Sequence, residues 1–147
     1  MDRSEVSSEG IRLLDAAFAA LPNAHAPYSQ FRVAAAVLTS SGTVLVGTNQ
    51  ENASYPVGIC AERVVLSTAS SVAHGETILS MAVVYRPLAG PAQKPLSPCG
   101  MCRQALHEQR TRQNRPIVLW MTADHGSVWR ISDASELLPF AFSAKEL

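Results

Sequence analysis

The three cysteines of this chain fall in two short clusters, Cys60-Ala61-Glu62-Arg63 and Pro98-Cys99-Gly100-Met101-Cys102. Three cannot all pair as disulfides, and a Cys-x-x-Cys in a chain that opens on the polar run Met1-Asp2-Arg3-Ser4-Glu5 points to a metal or redox site. A thioredoxin-like redox pair leaves Cys60 without a role, so metal is the favoured reading. Any fold must then carry two distant segments to one point. Three protein ligands leave the fourth tetrahedral position of zinc to water, which marks a catalytic centre rather than a closed structural one.

The pattern around the clusters says which elements could do this. Ile11, Leu14, Ala17, Phe18 and Leu21 recur at three and four, predicting an amphipathic helix from Ser7 to Leu21 that Pro22 and Asn23 stop. Phe31 to Thr39 and Thr43 to Thr48 read as a hairpin about Ser40-Ser41-Gly42. A second helix opens near Cys60 and ends before Gly75, and Ile78 to Tyr85 is a buried-strand pattern. Arg86 to Pro98, with Pro87, Pro91, Pro95 and Pro98, reads as a loop, and Cys102 to Arg112 as a third helix with Pro98 suited to its first turn. Ile117 to Thr122 and Val128 to Ile131 are short strands about a turn at Asp124-His125-Gly126-Ser127, and Ser135 to Leu138 is a brief terminal helix. Helices alternating with apolar strands imply an α/β sandwich of three layers in one domain spanning residues 1–147.

Composition narrows the partners. Twelve basic and twelve acidic residues cancel, and no run of Lys or Arg provides a footprint for a phosphate backbone, so a small molecule is expected rather than nucleic acid. No apolar stretch approaches the length of a membrane span, and a cytoplasmic location is expected.

Both clusters fall at predicted helix N-termini, where unpaired N–H groups and the positive dipole end favour thiolates. Zinc binds the thiolate and not the thiol. The alternative is a zinc staple whose fourth ligand comes from His25, His74, His107 or His125, all of which lie outside the clusters. Arg63 could draw charge from the sulfurs as a hydrogen-bond donor, or be a solvated helix arginine. Glu62 has an ordinary reading as a first-turn acid; beside a zinc-bound water it would be the general acid and base. Asn49 and Glu51, two apart in an extended segment, point to one side, which suits a sugar hydroxyl, although a strand end needs no ligand to explain them.

The blocks Pro27-Tyr28-Ser29-Gln30-Phe31, Asn49-Gln50-Glu51-Asn52-Ala53-Ser54-Tyr55-Pro56, Cys60-Ala61-Glu62-Arg63, Ser97-Pro98-Cys99-Gly100-Met101-Cys102-Arg103-Gln104 and Leu137-Leu138-Pro139 through Phe142 are spread along most of the chain. In order and spacing the chain resembles the small, all-cysteine cytidine deaminases. The resemblance implies an α/β/α sandwich around a mixed five-stranded sheet, and zinc-dependent deamination of cytidine and deoxycytidine to uridine and deoxyuridine with release of ammonia. It implies Cys60, Cys99 and Cys102 as zinc ligands, Glu62 as proton shuttle, Arg63 as the residue tempering the thiolates, and Ala61 as a backbone contact to the base. Asn49 and Glu51 would hold the ribose, and Phe31 would be an aromatic wall. It further implies a homotetramer with shared active sites, in which Ala53, Tyr55 and Phe142 reach a neighbour's site. Arg32 and Ala34 stand where the family has Pro and Gly, adding bulk expected near the pocket wall. Alternatives are a deaminase of modified cytosine nucleosides such as blasticidin S, a polynucleotide deaminase, which would need a basic groove, and a structural zinc-binding interaction module.

Overall fold

Three consecutive alanines, Ala34, Ala35 and Ala36, sit fully buried in the first strand and let helices approach both of its faces. The computed structural model describes residues 1–87, 94–123 and 126–144. Its strands are β1 (Phe31–Thr39), β2 (Val44–Thr48), β3 (Ile78–Pro87), β4 (Val118–Ala123) and β5 (Trp129–Ile131), and its helices are α1 (Ser8–Ala20), α2 (Ala61–Val72) and α3 (Gly100–Gln113). They form a five-stranded mixed sheet in the order β2-β1-β3-β4-β5. Only β3 and β4 run parallel; β1 pairs antiparallel with β2 and β3, and β5 antiparallel with β4. The parallel pair needs a crossover, and α3 supplies it.

Side chains alternate across a strand, so one set of residues builds each core layer. Ala34, Ala36, Leu38, Ala82, Val84 and Trp120 pack with Leu13, Leu14 and Ala17 of α1. Ala35, Val37, Met81, Val83, Leu119 and Met121 pack with Val65, Leu66 and Ala69 of α2 and Leu106 of α3. The three layers expected from the pattern are therefore present, with α1 alone on one face. Among the described residues, no helix is long and apolar enough to cross a membrane.

The boundaries differ from expectation in instructive places. Ser7 caps α1 by accepting from the Gly10 N–H at 3.2 Å, and Leu21–Asn23 tighten into a 3-10 turn after it. Strand β3 runs two residues further than its apolar pattern, because Arg86 and Pro87 still find partners in Arg32 and Phe31. Helix α3 begins at Gly100, two residues before the expected Cys102, with Cys99 as its N-cap and Pro98 just ahead of it. The terminal helix is a 3-10 turn, Ala134–Leu137. Pro91 and the Asp124-His125 half of the expected turn lie outside the described residues.

Two contacts seat α2 and α3, one at the N-terminus of α2 and one near the C-terminus of α3. A Cβ on Gly47 of β2 would stand 2.6 Å from the Val65 nitrogen and 2.8 Å from the Ala61 oxygen, so the first turn of α2 rests directly on the strand backbone. On α3, Arg110 Nε donates to Asp133 Oδ2 at 2.9 Å, tying the helix to the C-terminal segment. Burial raises the Asp133 carboxyl, but the hydrogen bond and charge of Arg110 and the hydrogen bonds of Ser135 outweigh it and hold the group below its usual value.

Gly47→Ala is expected to destabilise the chain by about 1–3 kcal/mol, because the atoms it meets are backbone and cannot swing aside. Unchanged urea denaturation would refute that close approach. A carboxyl with a depressed folded pKa stabilises at neutral pH and loses that contribution as pH falls below the unfolded value of 3.8 through the folded one. Arg110→Gln should therefore cost about 1 kcal/mol at neutral pH and little in strong acid; a deficit undiminished in acid would count against the ion pair.

Candidate active site

Helices α2 and α3 point their N-termini at the same place. Cys60 is the N-cap of α2, Cys99 the N-cap of α3, and Cys102 lies fully buried in the first turn of α3. The Cys60 and Cys99 sulfurs are 3.8 Å apart, those of Cys99 and Cys102 3.5 Å, and all three lie within 4.8 Å of one another. These distances are far too long for a disulfide, and all three cysteines are free. They suit zinc: sulfurs at about 2.3 Å from a tetrahedral ion stand about 3.8 Å from one another. Among the described residues no histidine, aspartate or glutamate joins the cluster.

The electrostatics of the cluster point the same way. The hydrogen bond from the Cys102 thiol lowers the Cys60 thiol to about 6, against burial and the Glu62 charge that raise it. That same bond pushes the Cys102 thiol up, aided by burial and by the Glu62 and Cys60 charges. The cluster by itself thus ionises only in part. A dication is what allows all three sulfurs to be thiolates together. Arg63, half-buried, lowers the Cys60 thiol by its charge.

A cavity of about 470 Å³ opens beside the sulfurs, lined by Phe31, Asn49, Glu51, Tyr55, Cys60, Glu62 and Cys99 together with Ser29, Leu96 and Ser97. Glu62 is only 4% exposed, and burial pushes its carboxyl up despite hydrogen bonds from its own N–H and from Cys102. Such a group can hold a proton as well as release one. Asn49 and Glu51 already have partners. Asn49 Oδ1 accepts from the Val33 N–H and its Nδ2 donates to the Phe31 carbonyl, each at 2.9 Å. Glu51 Oε2 accepts from the Tyr28 and Ser29 N–H groups at 2.9 and 3.2 Å, and Oε1 from the Ser29 hydroxyl. The Ser29 hydroxyl is the chief reason that the Glu51 carboxyl lies below its usual value. Each side chain is thereby fixed in direction, with one Nδ2–H of Asn49 and one lone pair on Glu51 Oε1 left for a ligand. Phe31 is held by stacking on Tyr85, with ring centroids 5.1 Å apart.

Not every expected residue lines this cavity. Ala61 is fully buried at the start of α2, while Ala53 and Phe142 are exposed and outside the lining. Arg32 and Ala34 correct the expectation of bulk at the pocket wall. Phe31 and Val33 face the cavity, so the pleat sends Arg32 and Ala34 to the opposite face; Arg32 is exposed beside a separate hollow with His25, and Ala34 packs under α1.

Two residues given no role by sequence reasoning hold the site together. Arg103 grips Pro98, Ser97 and Leu137, and Gln104 Nε2 donates to the Phe142 carbonyl at 2.9 Å. Their adjacency to Cys102 was the available signal.

The family model described as "Cytidine and deoxycytidylate deaminase zinc-binding region" matches residues 7–116. A cytidine deaminase of Halalkalibacterium halodurans is 36% identical over 147 residues, covering 100% of this chain and 98% of the relative. One from Mycobacterium tuberculosis is 35% identical over 128 residues, covering 87% of this chain and 85% of the relative. Among solved structures, the cytidine deaminase of Burkholderia pseudomallei superposes with a TM-score of 0.78 at 37% identity, over 93% of this chain and 100% of that one. The three clustered sulfurs, the buried carboxylate beside them and these matches along nearly the whole length agree: the chain belongs to the cytidine and deoxycytidylate deaminase family.

Proposed function

We propose that this chain deaminates cytidine and deoxycytidine hydrolytically, with Glu62 as the proton shuttle and Cys60, Cys99 and Cys102 as the ligands of its zinc. The observation that carries this reading is the single cavity joining a buried carboxylate and the sulfur cluster to the paired polar groups of Asn49 and Glu51. When bound, zinc lowers the pKa of a water and so supplies the nucleophile. Glu62 takes a proton from the attacking water and delivers it to the ring nitrogen beside C4. Oxygen bonds to C4, its remaining proton passes through the same carboxylate to the amino nitrogen, the C4–amino bond breaks, and ammonia leaves. The raised affinity of Glu62 for protons supports both halves of this task.

Asn49 and Glu51 hold the sugar. A ribose hydroxyl donates to Glu51 Oε1 and accepts from Asn49 Nδ2, the two valences that the surrounding backbone leaves open. The N-terminal end of α2 at Ala61 faces the base, Phe31 forms one wall, and Arg63 moderates the charge of the thiolates.

The working form is a homotetramer whose sites are completed by neighbours. Tyr55 is 77% exposed, Phe140 98% and Phe142 59%, a set of large apolar side chains with no cover in a lone chain. Tyr55 and Ala53 lie at or beside the mouth of the cavity, and Phe142 lies beside α3 through Gln104.

Glu62→Gln should keep its zinc yet lose roughly 10²–10⁴-fold in turnover, followed by the absorbance change from cytidine to uridine. Free cytosine, which leaves Asn49 and Glu51 unpaired, should be poorer than cytidine by roughly 10⁴-fold in kcat/KM. A zinc-loaded chain that leaves cytidine unaltered would end this reading. Sedimentation should give a four-chain particle, with Phe142→Ala lowering activity without loss of zinc; a fully active monomer would refute shared sites.

A further inference from the structure

We infer that Arg103 is a positioning residue that holds Cys99 in the geometry needed to retain zinc, an inference that rests on Cys99 being a ligand. Its side chain reaches two separate stretches of chain, Ser97-Pro98 and Leu137. Nε donates to the Pro98 carbonyl at 2.8 Å, one terminal nitrogen to the Ser97 hydroxyl at 3.1 Å, and the other to the Leu137 carbonyl at 3.4 Å. Its main-chain N–H also donates to the Cys99 carbonyl at 2.9 Å. Arg103 therefore holds the carbonyls on both sides of the Cys99 α-carbon. Those two peptide planes set φ and ψ of Cys99, observed at −68° and 170°, and with them the direction of its sulfur.

Cys99 needs such help more than its companions. Cys102 is fully buried inside a helical turn, and the start of α2 after Cys60 rests on Gly47. Cys99 is exposed, stands ahead of its helix, and has no side-chain capping bond of its own. On the far side of the preceding stretch the Tyr85 hydroxyl donates to the Lys94 carbonyl at 2.7 Å, and Leu96 packs against Tyr85 and Ala123. Between Lys94 and Cys99, the side-chain bonds to Ser97 and Pro98 both come from Arg103. A guanidinium presents its donors in a fixed planar fork and stays charged, so it reaches three acceptors spread over its edge, whereas the three donors of a lysine radiate from one compact nitrogen.

Groups that orient metal ligands change metal affinity by roughly 10–100-fold when removed. Zinc release from the loaded chain into excess chelator should accordingly quicken by roughly 10–100-fold in Arg103→Gln. Arg110→Gln, which also loosens α3 from the C-terminal segment but touches neither Ser97 nor Pro98, should release zinc at the original rate. A merely structural role would lower the melting point of the metal-free chain in both variants and leave zinc release alike. If Arg103→Gln does not fold, Arg103→Lys, which keeps the charge without the fork, decides: release several-fold faster supports the role. Release within about twofold of the original in a folded Arg103 variant overturns it. Cys99→Ala in the same assay separates the two readings: if it keeps a full equivalent of tightly held zinc, the ligand assignment itself fails; if it loses zinc while Arg103 variants do not, only the positioning role fails.

Discussion

The structure turns on the meeting of two helix N-termini. Cys60 and Cys99 occupy N-cap positions, and neither side chain makes a capping bond. Ser, Thr, Asp or Asn would cap a helix at such a position, and lacking one costs about 1 kcal/mol. Here the two N-caps bear sulfur, and the positive ends of both helices bear on one anionic cluster. The remainder of the fold serves that meeting. Gly47 admits the first turn of α2 onto the sheet, and the parallel β3–β4 crossover brings α3 back across the same face.

The layers were legible because apolar periodicity and burial follow from the same pleat and helical turn. The alanines of β1 read as a strand, and their smallness explains why α1 and α2 can both press on it. Strand order and direction were not legible, since pairing partners far apart in sequence leave no local mark; nothing in Ile78 to Tyr85 says that this strand pairs with β1 on one side and β4 on the other. Helix ends slipped for a related reason. The start of α3 is set by where Cys99 must stand, and that is fixed in three dimensions rather than by Pro98.

At the site, Cys60 with Glu62 and Cys99 with Cys102 could be read as pairs because a few residues on one turn cannot be far apart, while the meeting of the two pairs followed from the ligand count that a metal needs. Asn49 and Glu51 were legible as neighbours on one side of an extended segment, but not as groups already bonded to the backbone of β1 and of the Tyr28-Ser29 turn. Sequence offsets carry no information about such partners. The misplacement of Arg32 and Ala34 has the same origin: adjacency to Phe31 suggested the pocket, whereas the pleat sends alternate residues away.

What emerges is a pocket finished on its inner side and open on its outer one. Its polar groups are held by backbone bonds before any ligand arrives, so little ordering remains to be done on binding, and that favours both affinity and correct orientation. Glu62 is shielded from water by the same packing that raises its proton affinity. The outer rim is different, since Tyr55, which lines it, is a large side chain left in solvent. The sulfur cluster, Glu62, Asn49 and Glu51 are thus all held by contacts within one chain, while Tyr55 at the mouth of the cavity is left uncovered in a lone chain. A substitution at Tyr55 can therefore reshape the cavity mouth while leaving the sulfur cluster intact, whereas Arg103, bonded to both the Cys99 segment and Leu137, is a point where the sulfur cluster and the C-terminal segment are mechanically joined.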